Sequence, residues 1–317
     1  MFKTAERIAN RQEQTFFALC TINAIAAYGR NSRQAIDLAV KRVAEIDDRM
    51  SAFKYDSDVS RINRSAGQKA QKISRDTLEV LKLSLEFSRL SKGAFDVTVR
   101  PLTALWGIGK KNDFIPPKEE IEQILPLVNF NDIVLDEENS SAFLKNRGQA
   151  IDLGGIAKGY AADEVKRILE SYGVENALIN LGGNIIALGT KPDGSEWRVG
   201  VQNPMSVRGE YVGTLKTVNK TVVTSGSNEQ FFIKDGLRYH HIIDPRTGFP
   251  VKNELLSVTA VCDSSAAADA LTTALFVLGS ADALPLLKLT ESEAIFITQD
   301  LSVLVTEGLL NSFERNF

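Results

Sequence analysis

Cysteine and histidine are scarce in this 317-residue chain, which has two of each. Cys20 and Cys262 stand alone, with no C-x-x-C spacing, which argues against a disulfide framework and a zinc knuckle. With His240 and His241 as the only histidines, a multi-histidine metal centre is excluded by arithmetic. Any bound metal is expected to be hard and held by oxygen. Long apolar runs are missing too: VLKLSLEF and LTTALFVLG stop well short of the ~20 residues a spanning helix needs. Charged and amide side chains interrupt the opening MFKTAERIANRQEQTFFALCT before an apolar core of signal-peptide length can form. The expectation is a cytoplasmic protein with no membrane span, unless a leader has been trimmed. Neither sign of charge dominates. A formal net charge of −3, with no Lys/Arg run interleaved with aromatics, gives no reason to expect a nucleic-acid partner.

What is present is ordinary for a globular chain: 44% apolar and 24% charged residues, enough for a sizeable core. Residues 15–28, with FFALCTINAIAAYG at their heart, read as one strand that includes Cys20. RQAIDLAVKRVAEIDDRMS and SRDTLEVLKLSLEFSRLS carry apolar residues at helical spacing, with Asn31-Ser32 and Ser74 as caps. GAFDVTVRPLTALWGIG reads as a short strand-like run followed by a proline-initiated helical turn. Residues 109–128 read as a surface excursion with a short helix. Strands are expected in NDIVLDEENSSAFLKN, ALINLGGNIIALG, WRVGVQ, GTLKTVNKTVVTSG, FFIKDGLRYHHIID and SVTAVCD. Helices follow the glycines at 154–155 and begin again at Ser264 or Ser265. Strands and helices mix without strict βαβ alternation, so the expected fold is α+β. It should be one compact domain of mixed, largely antiparallel sheet over residues 15–317, after an extension of residues 1–14.

Five stretches could carry chemistry. In IDLGGIAKGYAAD a strand should end at Asp152, and Gly154-Gly155 let the chain turn where a Cβ would clash. The helix beginning near Ala157 offers unpaired N–H groups and Lys158 a full positive charge, a combination suited to a pyrophosphate. A tight turn with an exposed lysine explains the same residues, and the spacing is not that of a Walker A loop. In INLGGNIIALG the glycine pair reads as a bulge or a close approach of ligand or backbone. TVVTSG offers Thr224 and Ser225, but no G-x-S-x-G supports a serine nucleophile. HHIIDPRTGFP places His240 and His241 on opposite faces, so at most one meets a given site. In SSAAADALTTALFVLG, Asp269 and Thr273 fall at i and i+4, either hydrogen-bonded to each other or holding a Mg²⁺ with phosphate oxygens.

Taken in order, GAFDVTVRPLTALWGIG, IDLGGIAKGYAAD, INLGGNIIALG, VVTSG, HHIIDPRTG and AADALTTALFVLG closely resemble the ApbE family, the FAD:protein FMN transferases. The similarity runs from about Phe16 to the C-terminus. The resemblance implies a Mg²⁺-dependent reaction in which FAD is split at its pyrophosphate. FMN passes to a threonine or serine of an acceptor flavoprotein, and AMP leaves. It implies metal ligation by Asp269, Thr273 and the Gly155 carbonyl, and catalytic roles for Asp269 and for His241, the histidine in register with H-x-x-D-P. It implies FAD contacts from Leu19, Phe53, the Phe95–Asp96–Val97 backbone, Asp152, Lys158, His241 and Ile243. Where the family reads A-M-G-T, this chain has Ala18-Leu19-Cys20-Thr21, which puts a side chain in place of glycine near the flavin edge. Cys20, inside the expected strand and with no apolar segment before it, is not expected to be a lipoprotein anchor. Two alternatives remain at this point: an FAD pyrophosphatase, with water replacing the acceptor hydroxyl, and a non-catalytic flavin-binding protein.

Overall fold

The computed structural model describes residues 10–109 and 113–316. Residues 1–9 of the expected extension lie outside them, while Arg11–Gln14 already belong to a strand. Where one strand is expected over residues 15–28 there are two, β1 (Arg11–Ala18) and β2 (Thr21–Tyr28), paired with Ala18 opposite Thr21. Leu19 and Cys20 form the connecting turn at φ 53° and 58°. A two-residue hairpin of this twist needs left-handed backbone at both positions, and glycine, asparagine or aspartate normally signals it. Neither residue here does so, which is why the turn is not visible in the sequence. Cys20 is accordingly exposed at a hairpin tip, not held inside a strand.

Gly182-Gly183 gives the opposite outcome. The expected bulge is a second two-residue turn, at φ 61° and 99°, joining β3 (Asn176–Leu181) to β4 (Asn184–Leu188). A Cβ at Gly182 would come within 2.5 Å of the Thr21 side chain, so the two hairpin tips touch. The close approach is between backbone and neighbour.

Four more strands complete the main sheet: β5 (Lys220–Gly226), β6 (Leu255–Cys262), β7 (Glu293–Thr298) and β8 (Val303–Val305). Their order across the sheet follows the chain from β1 to β8, and every neighbouring pair is antiparallel. One face is covered by helices. In α1 (Ser32–Met50) the residues Ala35, Ile36, Ala39, Val43, Ile46 and Met50 recur at helical spacing and are all buried. Each large aliphatic among them contributes roughly 1.5–3 kcal/mol by leaving water. Beside it lie α2 (Arg75–Leu90), capped by the Ser74 hydroxyl, α3 (Ala157–Ser171) and α4 (Ser265–Leu278). Over the other face of β5–β7 packs a three-stranded sheet of Trp197–Gln202, Tyr211–Thr217 and Phe313–Arg315.

Two expected strands are not strands. The run before Arg100 is a 3₁₀ turn, Val97–Val99, because the Asp96 carboxylate accepts from the backbone N–H and the hydroxyl of Thr98 at 2.8 and 2.6 Å. The segment entering the glycine turn is extended but unpaired with any strand. Asn63 takes the place of one: its amide donates to Ile151 O at 2.9 Å and accepts from Ile151 N at 2.7 Å. Asp152 N then donates to Val97 O at 2.8 Å. No helix among the described residues is long and apolar enough to cross a membrane.

Candidate active site

The glycine turn is held from both sides. Asp152 accepts from Gly154 N at 2.9 Å, and its other oxygen pairs with the Arg100 guanidinium at 2.9 Å. α3 starts at Ala157 with no side chain capping its N-terminus. The Lys158 ammonium folds back to donate to Gly154 O at 2.9 Å and lies 3.7 Å from Asp269 Oδ1. Gly155 has no Cβ, and one built there would stand 3.4 Å from the Phe95 ring and 3.5 Å from the Thr273 hydroxyl. Phe95, Gly155 and Thr273, scattered over the sequence, therefore meet.

Asp269 is buried, and α3 and α4 approach closely around it. Its Oδ2 accepts from Gly159 N at 3.0 Å. A Cβ at Gly159 would come within 2.1 Å of Ser265 O, so only glycine lets the helices come this near. Asp163, one turn further along α3, accepts from Ser265 N, Ala266 N and the Ser264 hydroxyl at 2.8, 3.0 and 2.9 Å. A carboxylate is well placed there, satisfying donors that a helix start leaves open. The chain from Ser225 to Thr272 to Asp269 O, each step a hydroxyl donation of 2.9 Å, ties β5 to the same turn of α4. Ser225 is thus a brace for the turn that carries Asp269.

His240 and His241 do part company. His240 ends the strand Leu237–His240, is buried, and holds Val251 O at 3.0 Å through Nε2. Burial pushes its pKa down to about 4; the Val251 carbonyl opposes this, while His241 and Arg238 add to it. His241 keeps an exposed edge, yet protein crowds the ring closely enough that desolvation lowers its pKa below the ordinary imidazole value. The Gln230 carbonyl and Glu229 oppose that shift, and the Lys158 charge adds to it. Nδ1 lies 3.4 Å from Gln230 O. A carbonyl oxygen only accepts, so this contact assigns the ring proton to Nδ1 and leaves the Nε2 lone pair free.

The remaining candidates are spread around this centre. Phe53 is 57% exposed, under the Arg100 guanidinium at 4.7 Å from its ring centroid. The Asp96 side chain is fully engaged by Thr98 and by Phe130 N, which leaves its backbone for any ligand. Burial raises its pKa, against the lowering by those hydrogen bonds. Leu19 sits at the β1–β2 tip, partly buried against the main core. Ile243 sends its side chain into a satellite core with Leu102, Trp106, Ile108 and Ile121, and its backbone bridges to Pro250. Arg100, Asp163 and Asn63 were not singled out from the sequence. Arg100 and Asp163 lie within quoted motifs, but nothing in their spacing announces a partner dozens of residues away.

No group of three or more His, Cys, Asp or Glu side chains suited to a metal occurs among the described residues. One carboxylate, one hydroxyl and a backbone carbonyl do fit a hard cation that takes its other oxygens from phosphate and water. Gly155 puts no side chain between its own backbone and the Thr273 hydroxyl.

Comparison with known proteins places this scaffold among the transferases. A family model described as the ApbE family matches residues 18–296, and the chain belongs to that family. It is similar to an FAD:protein FMN transferase of Klebsiella pneumoniae (strain 342), 37% identical over 265 residues, 83% of this chain and 82% of that protein. A Treponema pallidum (strain Nichols) protein of the same name is 32% identical over 320 residues, covering 95% and 88%. Among solved structures, the ApbE protein of Thermotoga maritima superposes with a TM-score of 0.87 at 30% identity, covering 97% of this chain and all 100% of that one. The flavin transferase ApbE of Vibrio cholerae gives 0.84 at 28%, covering 95% and 99%.

Proposed function

We propose that this enzyme is an FAD:protein FMN transferase that uses Mg²⁺, splits the FAD pyrophosphate and attaches FMN to a threonine or serine of an acceptor flavoprotein. The names of its relatives support the reaction class. The observation that carries the finer reading is the meeting of Lys158, Asp269, Thr273 and the glycine turn at an uncapped helix N-terminus. That corner combines donors, positive charge and a ligand set for a hard cation.

Lys158 and the turn's N–H groups would orient the pyrophosphate. Asp269, Thr273 and the Gly155 carbonyl would hold the Mg²⁺, which when bound offsets charge on the phosphoryl oxygens and on the departing AMP. The acceptor hydroxyl attacks the phosphorus of the FMN half. Its O–P bond forms as the P–O bond to AMP breaks, and its proton passes to His241 Nε2. A base with a lowered pKa is unprotonated at neutral pH, as this step needs. The acceptor is expected in the cytoplasm, which fractionation of cells would check.

The test is a mass measurement. Protein, FAD, Mg²⁺ and a flavoprotein domain with a candidate acceptor threonine are mixed. An FMN-sized addition to the domain and free AMP, both lost with a chelator, are expected. AMP and free FMN across a panel of acceptors, with no modified domain, would favour a pyrophosphatase. Intact FAD throughout would leave a flavin-binding protein.

A further inference from the structure

The strands Phe231–Lys234 and Leu237–His240 pair as a two-stranded ribbon separate from the main sheet. Its two faces differ. Phe232 and Tyr239 stack at 5.1 Å and turn inward, onto the satellite core around Trp106. Phe231 and Ile233 share the other face by strand alternation and are 40% and 58% exposed. Arg238, opposite Ile233 in the register, lays its guanidinium over the Phe231 ring at 4.4 Å and comes to 4.0 Å from Met205 Sδ. Met205 belongs to a loop, residues 203–210, that leaves both Met205 and Val207 mostly exposed. The loop is firmly held. The Gln202 side chain donates to the carbonyls of Asn203 and Val207 at 3.0 Å each and accepts from Gly209 N at 3.1 Å. Asn203 Oδ1 accepts from Met205 N at 3.0 Å. Apolar side chains grouped in water, on backbone this well fixed, mark an interaction surface.

This surface adjoins His241. His241 N donates to Gln230 O at 3.0 Å, one step past the Phe231–His240 pair of the ribbon. Glu229, beside Gln230, pairs with Arg208 of the loop at 3.4 Å. By strand rise, Ile233 lies on the order of 10–15 Å from His241, a span of about four extended residues.

We propose that the outward face of this ribbon and the 203–210 loop together form the docking surface for the acceptor protein. The extended segment on either side of the modified threonine or serine lays an apolar side chain against Phe231, Ile233, Met205 and Val207. The attacking hydroxyl belongs to another protein and must come to His241 Nε2, so that protein touches what borders His241. A second copy of this chain is the poorer fit. Four partly exposed side chains fall well short of the ~800 Å² per partner that a stable dimer buries. They suit a substrate that must leave after one transfer. The inference rests on the transferase reading above and goes beyond it in naming where the acceptor binds.

The experiment uses the full chain and the flavoprotein domain that takes up FMN in the mass measurement above. Ile233→Asp and Val207→Asp are each expected to raise KM for that domain about five- to thirtyfold, with kcat and the Kd for FAD close to wild type. Leu289→Asp, at a leucine 63% exposed outside the patch, should change none of the three. Thermal melting checks folding, and the milder Ile233→Ser should give a smaller loss of the same kind. On the acceptor, each apolar residue within about five positions of the modified hydroxyl is changed to serine in turn. One of these changes should cost little once Ile233→Asp is present. Wild-type KM in both aspartate variants, a loss shared by Leu289→Asp, a loss confined to FAD affinity, or additivity at every acceptor position would each overturn the proposal. So would a wild-type dimer in sedimentation that Ile233→Asp splits, which would assign the surface to a second copy. Should no domain accept FMN, the transferase reading itself falls, an outcome separate from these.

Discussion

The two faces of the eight-stranded sheet are closed by different means. Over β5–β7 the small sheet is joined by Val199, Val201, Val212, Leu215, Val222, Val261, Ile295 and Phe313, a sandwich of apolar side chains. On the helical face the core is equally apolar over most of its extent. At the start of α3 and α4, however, side chains give way to backbone. Gly159 meets Ser265 O, and two carboxylates, Asp163 and Asp269, are spent on the N–H groups so exposed. The first face stabilises the scaffold, and the second trades side-chain packing for a corner where charge can be held out of water.

That contrast can be tested by substitution, and the largest effect belongs to the charged corner. Asp269→Ala should bring FMN transfer to background, with FAD affinity reduced less; isothermal titration of Mg²⁺ in the presence of FAD should show the metal lost. Transfer at the wild-type rate would remove Asp269 from the metal site. His241→Ala should slow transfer roughly 10²–10⁴-fold if Nε2 takes the acceptor proton. The wild-type kcat/KM should fall as pH drops through a pKa below 6.5, and a change in affinity with turnover intact at saturation would make His241 a binding residue.

On the sandwich face the outcome should reverse. Leu215→Ala removes a fully buried side chain and should cost about 2–5 kcal/mol in denaturant unfolding while leaving KM and kcat in place. His240 should show itself only in stability. Below its ordinary 6.5 the unfolded chain takes a proton that the folded chain refuses until about pH 4. Stability should therefore fall as pH drops across that window, by up to ~3 kcal/mol, and His240→Asn should flatten the slope. The smallest effect is expected at the β1–β2 tip. Cys20→Gly relieves a left-handed non-glycine residue and should raise stability by about 1 kcal/mol, read as a small upward shift in Tm.

The sequence was most legible where a local rule decides the outcome. The caps at Ser74 and Ser264, the helical stripe of α1 and the i, i+4 pair of Asp269 and Thr273 are all where spacing puts them. It was least legible where a distant side chain replaces a local signal. Asn63 satisfies Ile151 as a strand neighbour would, so an apparent strand is only an extended segment. Asp96 winds an apparent strand into a 3₁₀ turn. The Leu19-Cys20 turn carries no turn residue, and the Gly182-Gly183 turn carries two that also suit a bulge. In the site, glycine spacing pointed to the turn and its lysine. The Arg100–Asp152 pair and the Asp163 cap depend on which helices meet, and that is settled only by the whole fold.

The contact at Gly159 also limits how this chain can drift. A side chain there cannot be accommodated by rotamer change, because the atom it would strike is a main-chain carbonyl fixed by its own helix. A saturation library at codon 159, selected for function in cells, should therefore return glycine and little else, while the exposed Glu170, near the far end of the same helix, accepts many replacements. A homologue with another residue at this position is expected to have moved its two helices apart, and with them the distance between its buried carboxylate and its glycine turn.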